Sequence, residues 1–167
     1  MKILAIDPGN TQSAYCMIED YKPKEFGKID NLELKALLHR RTAYEHVDNC
    51  IIEMVASYGM AVGREVFETC VWIGRFTEAS CAPVEYIYRI EEKLAICHDS
   101  KARDSNIRQA LIDRFAKHDF KTGKGVKKNP DFFYGFAKDV WSAFCVGTVW
   151  LDKHYGRLAY GQKSETQ

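Results

Sequence analysis

The sequence predicts an α/β domain with a mixed sheet of about five strands flanked by helices. Three short runs of strand-forming residues follow one another at the N-terminus, and their short connections are typical of antiparallel hairpins. Two further apolar runs alternate with segments of helical spacing, which is the order expected when helices cover a sheet.

The strands are predicted where β-branched and aromatic residues lie between turn residues. The first run, ILAID, ends at the turn sequence PGNT, and the second, SAYCMIE, follows it directly. The fourth run, CIIEMV, is apolar except for Glu53. The five predicted strands cover residues 2–6, 13–19, 26–29, 50–55 and 84–88.

The helices are predicted from apolar residues spaced three or four apart. Leucines between Leu32 and Leu38 favour a first helix, and residues 62–79 favour a second. Asp104 or Ser105 is placed to cap a third helix. The sequence KTGKGVKKNP then predicts a flexible basic loop. A last helix is marked by Phe136, Val140, Phe144 and Leu151.

Length and composition favour one soluble, cytoplasmic domain. The 167 residues suit a single domain over residues 1–160, followed by a frayed tail at 161–167. No apolar stretch approaches the roughly 20 residues that a membrane span needs, and the N-terminus does not resemble a signal peptide. The six cysteines form no C-x-x-C pair, which favours reduced core residues over a disulfide or zinc framework.

The formal net charge of +1 conceals one basic segment. Residues 98–129 contain nine lysines and arginines against four acids, whereas residues 1–97 have a net negative charge. A cationic segment of this kind favours contact with phosphate groups, although lysines in loops are often only solvated.

Three acids occupy positions where a core element would be expected to carry apolar residues. Asp7 ends the first strand, Glu53 interrupts the fourth, and Asp139 lies between Phe136 and Val140. Burying an unpaired carboxylate is costly, so three such acids together indicate a divalent cation. Mg²⁺ prefers oxygen ligands, and a pair of ions can hydrolyse a phosphodiester. For any one acid alone, an exposed surface charge is the alternative.

The ordered motifs resemble the RuvC family of Holliday junction resolvases, which have an RNase H-like fold. The resemblance is greater to the RuvC-like endonucleases of phages and prophages of Gram-positive bacteria. It covers nearly the whole chain. The residues that carry it are IDPGNTQSAY at 6–15, IIEMVASYGMAVGREVFETCVWIGRF at 51–76, KARDSNIRQALIDRF at 101–115 and KKNPDFFYGFAKDVWSAFCVG at 127–147.

This resemblance implies two-metal hydrolysis of branched DNA, with Asp7, Glu53 and Asp139 as the ligands of two Mg²⁺ ions. The family usually has a further acid three residues after the last-helix acid, and Ser142 stands there. We therefore expect the second metal site to be weak, or its fourth ligand to come from elsewhere. A weak site would show as a requirement for millimolar Mg²⁺ or a preference for Mn²⁺.

The resemblance also indicates a DNA-binding surface. Tyr58 or Met60 is a candidate to stack on bases, and a plain turn with Tyr58 packed on a helix is the equal alternative. The family keeps basic residues at the start of the helix after the fifth strand. The remaining candidates, at that helix and in the basic loop, are Lys101, Arg103, Arg108, Lys121, Lys124, Lys127 and Lys128. His98, His118 and His154 show no metal spacing.

The implied partners are branched DNA, which includes four-way junctions, forks and flaps, and a second copy of the chain. Residues 62–79, with Phe67, Trp72 and Phe76, are the candidate dimer interface because they hold more large side chains than one core stripe needs. Two alternatives stay open. One is an RNase H-like module that binds DNA but has lost catalysis. The other is an actin-like kinase, whose opening phosphate loop IDPGNT resembles but whose second loop is not visible here.

Overall fold

The computed structural model describes residues 1–57, 59 and 61–156. Five strands form one mixed sheet, and a separate hairpin pairs β6 (Gly125–Val126) with β7 (Asn129–Pro130). The strands of the main sheet are β1 (Lys2–Asp7), β2 (Gln12–Glu19), β3 (Lys22–Asp30), β4 (Asn49–Met54) and β5 (Val84–Tyr88). The spatial order is β3-β2-β1-β4-β5. The first three strands are antiparallel, and β4 and β5 run parallel to β1.

Five helices cover this sheet in the described residues, which confirms the predicted α/β class. They are α1 (Asn31–Tyr44), α2 (Arg64–Ala79), α3 (Arg89–Cys97), α4 (Asp104–Phe115) and α5 (Val140–Tyr155). None of the described helices is long and apolar enough to cross a membrane.

The central strands are buried on both faces, which explains their continuous apolar sequence. On one face, Ile3, Ala5 and Ile51 belong to the core shared with α3, α4 and α5. On the other face, Leu4 and Ile52 belong to the core shared with α1 and α2. Because side chains alternate along a strand, this division also fixes the face that Asp7 and Glu53 occupy.

Helix α5 lies very close to the sheet at Gly147. A Cβ atom added there would lie 2.5 Å from Ile18 Cδ1 and 3.0 Å from Ala5 Cβ, inside contact distance. The absence of a side chain therefore lets α5 pack directly across β1 and β2, which sets the position of its N-terminus against the sheet.

Helix α3 was not predicted from the sequence. It begins directly after β5, and Tyr88 is both the last residue of the strand and the N-cap of the helix. No turn residue marks the change, so the usual signals were missing. The cap of α4 was also predicted wrongly, since Arg103 occupies that position. Asp139 is the N-cap of α5, so Phe136 precedes the helix.

The predicted flexible loop at residues 121–130 is a hydrogen-bonded hairpin. Asp119 accepts hydrogen bonds from the backbone N–H groups of Lys121, Thr122 and Gly125. Gly125 has a φ of +63°, and a Cβ there would lie 2.4 Å from Asn129 O. Gly125 therefore permits a tight turn. It does not make the loop flexible, contrary to the prediction. The predicted tail at 161–167 lies outside the described residues.

Candidate active site

Asp7 is directed to the α5 face because it continues the alternation of Ile3 and Ala5 along β1. The chain then turns sharply. A Cβ at Gly9 would lie 2.3 Å from Gln12 O, so the turn requires glycine. This close approach explains why the strand is followed at once by Pro-Gly.

A buried polar network holds this turn in place. Ser13 Oγ accepts a hydrogen bond from Gly9 N at 3.0 Å and donates to Asn31 Oδ1 at 2.6 Å. Asn31 Nδ2 then donates to Gly9 O at 2.9 Å. Ser13 and Asn31 are each 1% exposed, so satisfied polar groups fix the backbone just beyond Asp7.

Glu53 lies beside Asp7 because β4 pairs in parallel with β1, with Ile52 opposite Ile6. The two carboxyl groups are close enough for each to act on the pKa of the other. Burial, followed by the charges of Glu53 and Asp139, raises the pKa of Asp7 to about 8. Burial and the charge of Glu92 raise the pKa of Glu53 to about 8, although Arg89 opposes this. Crowded, half-buried carboxyls of this kind attract a cation.

Asp139 reaches the same face from the start of α5. Its Oδ2 accepts a hydrogen bond from Lys28 Nζ at 2.5 Å. Lys28 on β3 is opposite Ala14 on β2, and Ala14 is opposite Asp7 on β1. Lys28, Ala14 and Asp7 therefore lie in one row across the sheet. Asp139 is near enough for its charge to raise the pKa of Asp7. The structure thus places all three predicted acids on one face.

These acids do not yet form a closed ligand set. Among the described residues, no three His, Cys, Asp or Glu side chains are close enough to hold one ion as they stand. Asp139 is drawn towards Lys28 by their ion pair, and like charges repel each other at the centre. Holding an ion would require Asp139 to exchange Lys28 for the cation.

Three further charged residues at the site were not predicted: Arg89, Glu92 and Asp104. Arg89 donates to Glu92 Oε2 at 2.7 Å and to Asp104 Oδ1 at 2.5 Å. Glu92 is fully buried. Glu92 and Ile96 lie one turn apart on the buried side of α3. The four-residue spacing between Glu92 and Ile96 was the signal in the sequence that Glu92 is buried. It could be used only if α3 was recognised as a helix first.

A cleft of about 250 Å³ opens beside Asp139. Ser142 lines it and is half-buried, one turn along α5 from Asp139, as predicted from the helical spacing. Both charge signs meet in this cleft, so it can hold a cation and a phosphate together. Its charged lining residues are Arg89, Asp104, Arg108, Lys138 and Asp139.

The predicted basic residues extend from this cleft. A second cleft, of about 330 Å³, shares Arg108 and Trp141 with the first and is also lined by Lys121 and Lys124. The guanidinium of Arg108 lies 5.4 Å from the Trp141 ring centroid. The remaining four, Lys101, Arg103, Lys127 and Lys128, are exposed. Tyr58 and Met60 lie outside the described residues.

Arg108 and the hairpin therefore form a continuous basic surface that begins at the cleft beside Asp139. Lys101 and Arg103 flank the start of α4. The sequence predicted that this helix would directly follow the fifth strand, but α3 lies between β5 and α4. His118 and His154 face acids elsewhere, Asp131 and Glu85, each at 3.6 Å.

No family model and no curated protein matches the sequence. Among solved structures, Thermus thermophilus RuvC in complex with a Holliday junction substrate has a TM-score of 0.59 at 12% identity, covering 87% of this chain and 90% of the RuvC chain. Another structure of T. thermophilus RuvC has a TM-score of 0.58 at 13% identity, covering 92% and 96%. These likenesses confirm the RNase H-like fold, in its RuvC form.

Proposed function

We propose that this protein is a metal-dependent, structure-specific endonuclease that cleaves branched DNA, including Holliday junctions. The observation that carries the proposal is the pair of half-buried, adjacent carboxyls of Asp7 and Glu53, whose pKa values are raised by burial and by neighbouring acids, together with a cleft lined by Asp139 and by basic side chains. The RuvC fold supports this function, since one of the similar RuvC structures contains a Holliday junction substrate. We further propose the phage or prophage type and a cytoplasmic location in the bacterial or infected host cell.

The residues present fit a divalent cation. Asp7, Glu53 and Asp139 offer carboxylate oxygens, which Mg²⁺ prefers, and Mn²⁺ accepts the same donors. Ser142 adds a neutral hydroxyl. Two Mg²⁺ ions, when bound there, would activate the attacking water and stabilise the leaving oxygen of the phosphodiester. Asp7 and Glu53 would hold the ions at the sheet, and Asp139 would complete the site from α5.

The cationic side chains have a separate task, which is to bind and orient the DNA backbone. Arg89, Arg108 and Lys138 line the cleft at the acids and would neutralise the phosphate that approaches them. Lys121 and Lys124 continue this surface through the second cleft. These contacts are to phosphate, so they would position the strand without reading its sequence.

A nicking assay tests the proposal directly. The purified protein, with labelled four-way junction, fork, flap and linear duplex, should cut branched substrates only when Mg²⁺ or Mn²⁺ is added. Junction binding without cleavage in either metal would instead support the catalytically impaired module. Absence of both, together with metal-dependent hydrolysis of ATP, would support the actin-like kinase.

We also propose a symmetric homodimer, because cutting two opposed strands needs two active sites related by a two-fold axis. Helix α2 offers the candidate surface, but a narrower one than the sequence predicted. Phe76 is fully buried in the core and Trp72 is partly buried against it, whereas Phe67 is 61% and Val71 is 58% exposed. Phe67 and Val71 are four residues apart and so share one face.

Replacing Phe67 and Val71 together with Ser should therefore weaken the dimer by roughly 10-fold or more, since apolar residues at the centre of an interface dominate its affinity. Light scattering across a micromolar concentration series would measure this. Tyr44→Ser, at a 76% exposed position on α1, is the control and should leave the dimer intact. A wild-type protein that is monomeric both free and with junction DNA would contradict the proposed assembly.

Ser142→Asp should lower the Mg²⁺ concentration needed for half-maximal cleavage by several-fold. The change adds a carboxylate to the cleft next to Asp139, and a carboxylate binds a divalent cation far better than a hydroxyl. The titration should be made at saturating DNA, because extra negative charge also weakens DNA binding. An unchanged metal requirement would show that Ser142 only packs the helix.

A further inference from the structure

Glu92 is a buried acid whose hydrogen bonding is incomplete. Its side chain is 0% exposed, and Oε2 accepts a hydrogen bond from Arg89 at 2.7 Å. Oε1 has no hydrogen-bond partner by distance and angle among the described residues. The Cys145 thiol lies close enough to interact with the carboxyl group, but a thiol is only a weak donor. One oxygen of this acid is therefore left to another partner.

A purely structural ion pair accounts poorly for this arrangement. Buried polar atoms are nearly always satisfied, and a buried ion pair is favourable only when its remaining lone pairs are also bonded. Arg89 does not form a two-pronged contact with Glu92, because its second amino group binds Asp104 on α4. Arg89 thus fixes the direction of the Glu92 carboxyl group and leaves Oε1 unpaired.

Glu92 belongs to the same electrostatic cluster as the central acids. Helix α3 starts where β5 ends, and β5 runs beside β4, so the first turn of α3 lies next to Glu53. The charge of Glu92 is the largest influence on the pKa of Glu53 after burial. The charge of Asp7 in turn acts on Glu92. Three acids thus influence one another beside a single arginine, and Glu92, the fully buried one, keeps one oxygen without a hydrogen-bond partner among the described residues.

We propose that Glu92 supplies the fourth carboxylate of the metal centre, with Oε1 as the ligand atom and Arg89 as the residue that positions it. This rests on the proposed metal-dependent nuclease function. It explains how the chain tolerates Ser142 at the position where related enzymes have an acid. In this chain the fourth acid comes from α3, on the β5 side of the sheet, and not from α5.

The test is metal binding without DNA, measured by Mn²⁺ calorimetry and by the rise in Tm on adding Mn²⁺. Glu92→Gln keeps the shape and still offers an oxygen to Arg89, but it removes the charged ligand. We expect this variant to fold, with a metal-free Tm equal to or above that of the wild type, and to bind Mn²⁺ at least 10-fold more weakly or with one ion fewer. Glu78→Gln, at an exposed position on α2, is the matched control and should bind Mn²⁺ like the wild type.

A rescue variant and a shortened side chain complete the experiment. Ser142→Asp in the Glu92→Gln background should restore a large part of the Mn²⁺ affinity, because it returns an acid to the centre. If Glu92→Gln does not fold, Glu92→Asp keeps the charge but withdraws the oxygen, and it should weaken Mn²⁺ binding in the same way. Wild-type Mn²⁺ affinity and stoichiometry in the folded Glu92 variant would overturn the inference.

The failure of this inference can be told apart from failure of the proposed function. If the wild type neither binds Mn²⁺ nor cuts DNA, the function itself is wrong. If the wild type does both, Asp7→Asn loses both and Glu92→Gln loses neither, the nuclease stands and only the role of Glu92 is wrong.

Discussion

Asp7→Asn or Glu53→Gln is expected to reduce Mg²⁺-dependent cleavage of branched DNA to background, a loss of roughly 10³-fold or more. Each change removes one carboxylate from the adjacent pair that would hold the ions, and a neutral amide is a poor substitute. Binding of the junction should survive, because the charge removed is negative and would otherwise repel phosphate. Single-turnover cleavage and gel-shift titration of the same labelled junction measure the two effects separately.

These variants also carry an internal check on folding. Burial and like charges raise the pKa of both acids, so each charged carboxylate costs stability in the metal-free protein. An isosteric amide removes that cost, and the metal-free Tm should be unchanged or higher. Asp113→Asn, at an exposed position on α4, is the control and should cut DNA normally. Cleavage by either Asp7→Asn or Glu53→Gln at the wild-type rate would rule out the assigned site.

The sheet could be predicted because its strands carry their signal locally. An apolar run that stops at Pro-Gly, as after Asp7, marks a strand whatever its partners are. Helix α3 could not be predicted in this way, since it follows Tyr88 without a turn and three of its first four residues are charged. The face that Arg89 and Glu92 present is decided by packing against α4 and α5, which no local pattern records.

The central acids could be recognised from their local sequence, whereas Lys28 could not. Asp7 and Glu53 stand out in the sequence because they interrupt strands that are otherwise apolar. Lys28, by contrast, lies on a polar edge strand. Lys28 lies two strands away from β1, and only the register that places it opposite Ala14 of β2 brings it to Asp139. Pairings between distant segments depend on the whole sheet, so a single sequence does not reveal them.

The order of the basic hairpin was missed because it depends on two acids outside the predicted loop, Asp119 and Asp131. The lysines and glycines of residues 121–128 indicate a solvated, mobile loop when they are taken alone. Asp131, in the following segment, reverses this. Its carboxylate accepts hydrogen bonds of 2.6 to 2.9 Å from four backbone N–H groups, those of Lys117, His118, Asp119 and Phe132. This one side chain therefore ties the hairpin to the end of α4.

Asp131→Asn is expected to destabilise the protein by roughly 2–4 kcal/mol, because Asp131 is 6% exposed and its bonds to the backbone are replaced by an amide that can accept fewer of them. The amide N–H₂ would also face backbone donors. Urea unfolding at neutral pH measures the loss. We further expect weaker junction binding, since the hairpin that presents Lys121 and Lys124 loses its anchor, whereas Asp113→Asn should change neither quantity.

The pH dependence of this difference gives an independent test. The four backbone N–H donors outweigh burial and hold the pKa of Asp131 below its usual range. The unfolded carboxyl takes up a proton near its ordinary pKa of about 3.9, whereas the folded one does so only at lower pH. The stabilisation by Asp131 is therefore fully present above about pH 4 to 5 and decreases as the pH falls further. The stability gap between wild type and Asp131→Asn should accordingly be fully present near pH 8 and should narrow below pH 4. A gap that stayed constant through that acid range would mean that the loss comes from packing and not from the charged hydrogen bonds.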